Sequence, residues 1–142
     1  MRPLKQLIDE KRPLVSVGPD AKVFTALTLL AQFDIGALLV LDKGKLVGIF
    51  SERDYARKIV LKGKASKDTS VREVMSDRLS CVTLDETVEE CMALMTDKHI
   101  RHLPVTGAND EVLGIVSIGD LVKETISEQK FTIEQLVHYI QN

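Results

Sequence analysis

Residues 16–54 read SVGPDAKVFTALTLLAQFDIGALLVLDKGKLVGIFSERD, and residues 81–120 read CVTLDETVEECMALMTDKHIRHLPVTGANDEVLGIVSIGD. Superimposed, with one extra residue in the turn of the second stretch, they share Val17/Val82, Asp20/Asp85, Val23/Val88, Leu29/Leu94, Ile35/Ile100, Leu38/Leu103, Val40/Val105, Gly48/Gly114, Ile49/Ile115, Ser51/Ser117 and Asp54/Asp120. A repeat dictates architecture before any single motif does, because each copy is one structural unit that needs its neighbour to complete a core. Two copies predict two similar units about a pseudo-two-fold axis, with paired clefts between them.

Each copy reads strand, helix, strand, strand, helix, an α+β pattern. In the first, Val15 and Val17 fit a short strand, and Asp20 is placed to cap the next helix through its carboxylate. Val23, Ala26, Leu27, Leu30 and Phe33 recur at helical spacing. Residues 37–41 form an unbroken apolar run, expected of a strand buried on both faces. Residues 42–45 are a tight turn in which Gly44 accepts a positive φ. Residues 46–50 are the partner strand, and Ser51 starts a helix reaching about Leu61. The second copy repeats this with Val82, a cap at Asp85, and a stripe of Val88, Cys91, Met92 and Met95. Strands at 101–105 and 112–116 flank a looser turn, and Ser117 opens the closing helix.

The chain thus divides into a lead (1–14, with one helical turn around Leu4, Leu7 and Ile8), a first copy (15–61), a linker with a short helix (62–76), a second copy (77–126) and a separate final helix (127–142). The last carries Phe131, Ile133, Leu136, Val137 and Ile140 as its apolar residues.

Length and composition fit one compact domain or two small units sharing a core: 142 residues, 44% hydrophobic and 28% charged. A net charge of −2 gives no general attraction to nucleic acid or to a membrane surface. The cluster Arg53, Arg57, Lys58, Lys62, Lys64 and Lys67 reads first as a solvated face, and otherwise as a surface whose first residues meet a small phosphorylated ligand. Cys81 and Cys91 suit neither a zinc site nor a disulfide framework, so reduced thiols are expected. The start MRPLKQLIDEKR has no apolar signal core, and no stretch approaches the length of a membrane span. The expected location is the cytoplasm.

The chemistry concentrates in a doubled Ser-x-x-Asp: Ser51-Glu-Arg-Asp54 and Ser117-Ile-Gly-Asp120, each where an apolar strand gives way to a helix. Such a motif is first a capping box, in which hydroxyl and acid satisfy the free N–H groups of the helix start. The same geometry suits a nucleotide: free N–H groups and a hydroxyl for phosphate, and a carboxylate one turn on for two ribose hydroxyls. Repetition at equivalent positions favours the second role alongside the first. Gly36, before the first long strand, is either a helix C-terminal glycine or a place where a flat ring can approach the backbone. Arg101 and His102 in the second copy can contact phosphate or simply begin a strand. Pro104 removes a donor at an edge or a bulge.

Together, Val-x-x-x-Asp-x-x-Val, Ile-Gly-Ala-Leu-Leu-Val or Ile-Arg-His-Leu-Pro-Val, and Leu-Val-Gly-Ile-Phe-Ser-Glu-Arg-Asp or Val-Leu-Gly-Ile-Val-Ser-Ile-Gly-Asp resemble the cystathionine β-synthase-type (CBS) domain, here in tandem as a Bateman module over residues 15–126. Val-Arg-Glu-Val-Met-Ser at 71–76 is similar to the usual lead into such a domain. The resemblance implies two β-α-β-β-α repeats about a pseudo-two-fold, with two clefts for AMP, ADP, ATP, NAD or S-adenosylmethionine. It implies that Asp54 and Asp120 hold ribose and that Ser51 and Ser117 meet phosphate. It also implies that Gly36 and Ala37 line an adenine pocket, that Arg101, His102 and Arg53 face phosphate, and that Val17 belongs to the nucleotide-contacting set. Leu39 departs from the family's frequent proline, present at Pro104. Arg101 in place of Gly36, and Ile118-Gly119 in place of Glu52-Arg53, lead to unequal sites, with the Asp54 cleft expected to bind better.

The function expected is a non-enzymatic regulatory module that reports energy or redox state to an effector protein, working as a homodimer of flat discs. The alternative is a ligand-independent scaffold with vestigial clefts. No Ser-His-Asp or Cys-His set is suggested, and the dinucleotide fingerprint Gly-x-Gly-x-x-Gly is missing.

Overall fold

The computed structural model describes residues 3–8 and 14–141. Two three-stranded sheets carry the repeat. The first is β1 (Ser16–Val17), β2 (Ala37–Asp42) and β3 (Lys45–Ser51), and the second is β4 (Val82–Thr83), β5 (His102–Thr106) and β6 (Val112–Ser117). In each, the short strand runs parallel to the middle one and the third is antiparallel to it. The helices are α1 (Lys5–Ile8), α2 (Val23–Phe33), α3 (Glu52–Asp54, widening into a π-helical stretch over Tyr55–Val60), α4 (Val71–Val74), α5 (Val88–Lys98) and α6 (Ile118–Gln141). A single 3-10 turn at Ala108–Asp110 makes the second hairpin looser than the first.

The apolar run of β2 divides by its period of two. Leu38 and Val40 enter a core with Val23, Ala26, Leu30, Phe50 and Ile59. Ala37 and Leu39 face the other way, joining Ile49, Leu79, Val112 and Ile115 in a cluster that links the sheets. Burial on both faces is therefore what the run encodes. In the second copy Leu103 and Val105 pack with Val88, Cys91, Met95 and Leu121.

The leads are exchanged. Val71 and Val74 of α4, though they precede the second copy, are buried in the first core. Leu4, with Leu7 and Ile8 against it, precedes the first copy and packs in the second core. Backbone bonds fix this: Val71 N–H donates to Ala21 O at 2.8 Å, and Leu4 N–H to Glu86 O at 2.9 Å. The repeated glycines make room for the exchange. A Cβ on Gly48 would lie 2.6 Å from Met75 Sδ and 3.0 Å from Ser76 O, and one on Gly114 would lie 3.3 Å from Ile8 Cδ1.

Four sequence expectations are corrected. Asp20 and Asp85 do not cap. Thr87 caps α5 in a capping box with Glu90, whereas Lys22 at the start of α2 has no side-chain cap. There the linker supplies the acceptors, Val23 N–H donating to Thr69 O at 2.8 Å and Phe24 N–H to Ser66 O at 3.0 Å. Asp20 instead pairs with Arg72 at 3.3 Å. Gly36 is not the residue that ends α2: Asp34 takes the left-handed conformation (φ 52°), as His99 does after α5 (φ 56°). Pro104 lies in the middle strand. Leu39, at the equivalent place, pairs with Ser16, but β4 begins one residue later, against Val105, where a backbone N–H is again present. Finally, α6 runs unbroken through residue 126, so the expected final helix continues the one that Ser117 opens.

Candidate functional site

Both Ser-x-x-Asp motifs sit where a sheet's third strand turns into a helix, and both form the reciprocal cap. Ser51 N–H and Oγ–H donate to Asp54 Oδ2 at 2.9 and 3.0 Å, and Asp54 N–H donates to Ser51 Oγ at 3.1 Å. Ser117 N–H donates to Asp120 Oδ2 at 2.9 Å, and Asp120 N–H to Ser117 Oγ at 3.1 Å. The preceding loops hold them alike: Glu52 N–H donates to Gly36 O at 3.0 Å and Ile118 N–H to Arg101 O at 2.9 Å.

Two clefts open beside these motifs, and each is built across the dyad. The Asp54 cleft, about 630 Å³, combines Ser51–Asp54 of the first copy with His99–His102 of the second. The Asp120 cleft, about 510 Å³, combines Ser117 and Asp120 with the loop Phe33–Ala37 of the first. Gly36 and His102 border both. Loops and aspartates therefore pair across the copies. Ala37 belongs with Asp120, and Arg101 shares a cleft with Asp54, because each loop crosses to the other copy's helix start. Val17 lines neither cleft. It is buried in the first core, and Val15, two residues earlier and half-buried against the same core, also lines the Asp120 cleft.

Sequence reasoning missed Ser76, and named Lys58 only within the basic cluster, not against Asp54. The close passage of residue 76 over Gly48, held by Ile49 N–H to Ser76 O at 2.9 Å, brings Ser76 Oγ within 3.2 Å of Asp54 Oδ1. Lys58 Nζ reaches the same oxygen at 3.0 Å and also donates to Val74 O at 3.0 Å. A helical spacing of four from Asp54 was the available signal for Lys58; for Ser76 there was none. Arg53 Nη1 extends to His99 O at 3.5 Å, across the boundary between copies.

Burial holds the His102 imidazole below its ordinary range, Arg101 reinforces this, and the Asp120 and Asp54 carboxylates oppose it. The side chain is therefore a neutral donor and acceptor at pH 7. Burial, with Glu86 and Glu90, pushes the Cys91 thiol up to about 11, and burial also raises the Cys81 thiol. Neither is an activated nucleophile. Both thiols are free, and no group of three metal-ligating side chains comes together among the described residues.

The CBS domain family matches the chain twice, at residues 5–61 and 71–127. The chain belongs to the CBS domain family. The mitochondrial CBS domain-containing protein CBSX3 of Arabidopsis thaliana is 40% identical over 86% of this chain and 61% of its own length, so this chain spans under two thirds of that relative. The CBS domain-containing protein YhcV of Bacillus subtilis is 32% identical over 82% of this chain and 81% of its own. A CBS-domain crystal structure 48% identical to this chain superposes with a TM-score of 0.83, covering 89% of this chain and 99% of that one. Two further CBS structures hold ligands. A CBS domain protein of Pyrobaculum aerophilum complexed with AMP is 26% identical, with TM-score 0.74, over 83% and 88% of the two chains. The CBS domain pair of protein MJ0100 in complex with 5′-methylthioadenosine and S-adenosyl-L-methionine is 26% identical, with TM-score 0.73, over 81% and 93%. The tandem CBS pair accounts for both sheets and for the dyad that relates them. No helix among the described residues is long and apolar enough to cross a membrane.

Proposed function

We propose that this CBS pair is a regulatory module that binds an adenosyl ligand in the clefts at Asp54 and Asp120 and passes the bound state to a partner protein. The observation that carries the reading is the duplicated carboxylate at a helix start, each facing a cleft of several hundred Å³. Relatives with AMP and with S-adenosyl-L-methionine support the ligand class. In this reading Asp54 takes the ribose hydroxyls, Ser51 and the arginines take phosphate, and the ring lies against Ile100 and Leu79. Asp54 Oδ1 already accepts from Ser76 and Lys58. Ribose must displace one of them, and released Lys58 is free to turn to phosphate.

The proposed output is a change in how two modules pack. The outer face of α6 leaves Val122, Ile126, Ile133, Val137 and Ile140 exposed, an apolar stripe that a second copy would cover. A ligand shifts such a packing equilibrium only through its different affinity for the two arrangements. Energy or redox sensing follows if the preferred ligand is AMP, ADP, ATP or NAD. The test is thermal melting with these, NADH and S-adenosylmethionine, with Asp54→Ala and Asp120→Ala in parallel. A ligand at ~100 Kd should add about 2.7 kcal/mol, several degrees of melting temperature, and at least one aspartate variant should abolish the gain. No shift with any ligand would favour the scaffold reading.

A further inference from the structure

Helix α6 is anchored to its own module at its start. Leu121 is buried in the second core, and Thr125 Oγ1 reaches Met92 Sδ at 3.6 Å. From Gln129 to Gln141 every residue is exposed, although the helix continues. The family match ends at residue 127, so this stretch lies beyond the matched repeats. A helical stretch so short is marginal in water, and helices in proteins draw most of their stability from packing an apolar face.

The sequence defines which face that is. Val122, Ile126, Gln129, Ile133, Leu136 and Ile140 follow one another at alternating steps of four and three residues. This is the spacing with which two helices supercoil, each seam residue entering a hole on the facing helix. The seam starts about 100° round the helix from Leu121, away from the core-facing side. Ile133, Leu136 and Ile140 are 60%, 57% and 79% exposed, so more than half of each remains to be buried.

The composition of the seam selects a second copy of this chain as the occupant and fixes its direction. Ile126, Ile133 and Ile140 take one position of the repeat and Leu136 stands at the other, the arrangement that favours parallel two-stranded pairs. Gln129 is the one polar residue of the seam. In a parallel pair it meets its own counterpart, and two amides satisfy each other as donor and acceptor. Antiparallel alignment of the same seam sets Gln129 against Ile133 and leaves the amide unmatched. The flanks agree. Lys123 and Lys130 border one edge of the seam, Thr125 and Thr132 the other. Parallel pairing brings opposite edges together, Lys130 beside Thr125, whereas antiparallel pairing sets Lys130 against its own counterpart.

We propose that α6 pairs with α6 of a second copy as a parallel, in-register two-stranded coiled coil from Val122 to Ile140. The proposal rests on the reading that a second copy covers the α6 stripe, and gives that contact a segment, a direction and a register. It makes no use of the clefts. Both modules then sit at one end of the pair, with their Ser117–Asp120 helix starts about 10 Å apart, axis to axis.

The test is sedimentation equilibrium of the chain without ligand. Wild type at about 10 μM should be a dimer. Ile133→Glu/Ile140→Glu puts charge into an apolar seam and should weaken the dimer at least about a hundredfold. Both residues lie in the exposed stretch, so the module keeps its fold, and a urea melt verifies this. Direction is read by cross-linking. Ile140→Cys, in a Cys81→Ser background that removes the exposed native thiol, should join the copies through a disulfide on air oxidation, because parallel pairing brings the two positions within disulfide reach. Antiparallel pairing would hold them about 27 Å apart. A monomeric wild type overturns the proposal and the second-copy reading together. A dimer indifferent to the two glutamates overturns the α6 seam, and a dimer that the glutamates disrupt but that does not cross-link overturns its parallel direction. Each result is obtained without ligand and leaves the adenosyl reading to its own test.

Discussion

At Asp54 the carboxylate is held by Ser51 on one oxygen and by Ser76 and Lys58 on the other; at Asp120 the residue one turn on is Glu124. The same contrast recurs at the glycines and at the helix caps. Gly48 lies directly under backbone of the exchanged lead, whereas among the described residues Gly114 faces the side chain of Ile8. Helix α5 is capped by its own Thr87, and α2 by linker carbonyls. Duplication preserved the frame, namely strand register, the 11-residue length of α2 and α5 and the reciprocal cap after the third strand. The surroundings of the frame diverged.

The largest expected effect tests the exchange of leads. Gly48→Ala forces residues 75 and 76 off β3 and should cost about 1–3 kcal/mol, as overpacking does. Gly114→Ala meets a flexible side-chain end and should cost less than about 1 kcal/mol. Urea denaturation of the two variants measures the difference, and equal costs would mean that both leads press on their glycines alike. Next come the caps. Thr87→Ala should lose about 1 kcal/mol, and Lys22→Ala should stay within about 0.5 kcal/mol, by the same measurement.

The smallest effect is in pH. The folded protein holds His102 below its ordinary pKa, so the unfolded chain takes up a proton there first. The stability associated with neutral His102 is complete above about pH 6.5 and is lost as the pH falls from there toward the folded value. Ala37, the counterpart of His102, contributes no such slope. Urea midpoints of His102→Gln should fall less between pH 7.5 and pH 5 than those of wild type. An identical fall would show that His102 titrates normally.

The strands and helices were legible because their signals are local. The run at 37–41 marks a strand buried on two faces, and Ser51 and Ser117 mark helix starts. Misread features depend on partners distant in the chain. Asp20 stands at a good distance to cap α2, yet Ser66 and Thr69 reach its N–H groups first. Glu90, three residues after Thr87, was the overlooked signal for the α5 cap. The motif residues Ser51, Asp54, Ser117 and Asp120 lie at the clefts' edges, but which loop faces which aspartate depends on how the copies dock. The docking puts Arg101 with Asp54 and Ala37 with Asp120, while Gly36 borders both clefts. The glycine at 48 was visible as a repeat without a stated cause until the passage of Ser76 over it was seen.

The most direct test of the account is a crystal structure of the protein with ATP. Ribose hydroxyls should lie within hydrogen-bond distance of Asp54, with Ser76 or Lys58 displaced from Oδ1 and the phosphates against Arg53 and Arg101. ATP density elsewhere, with the Asp54–Lys58 pair intact, would contradict it.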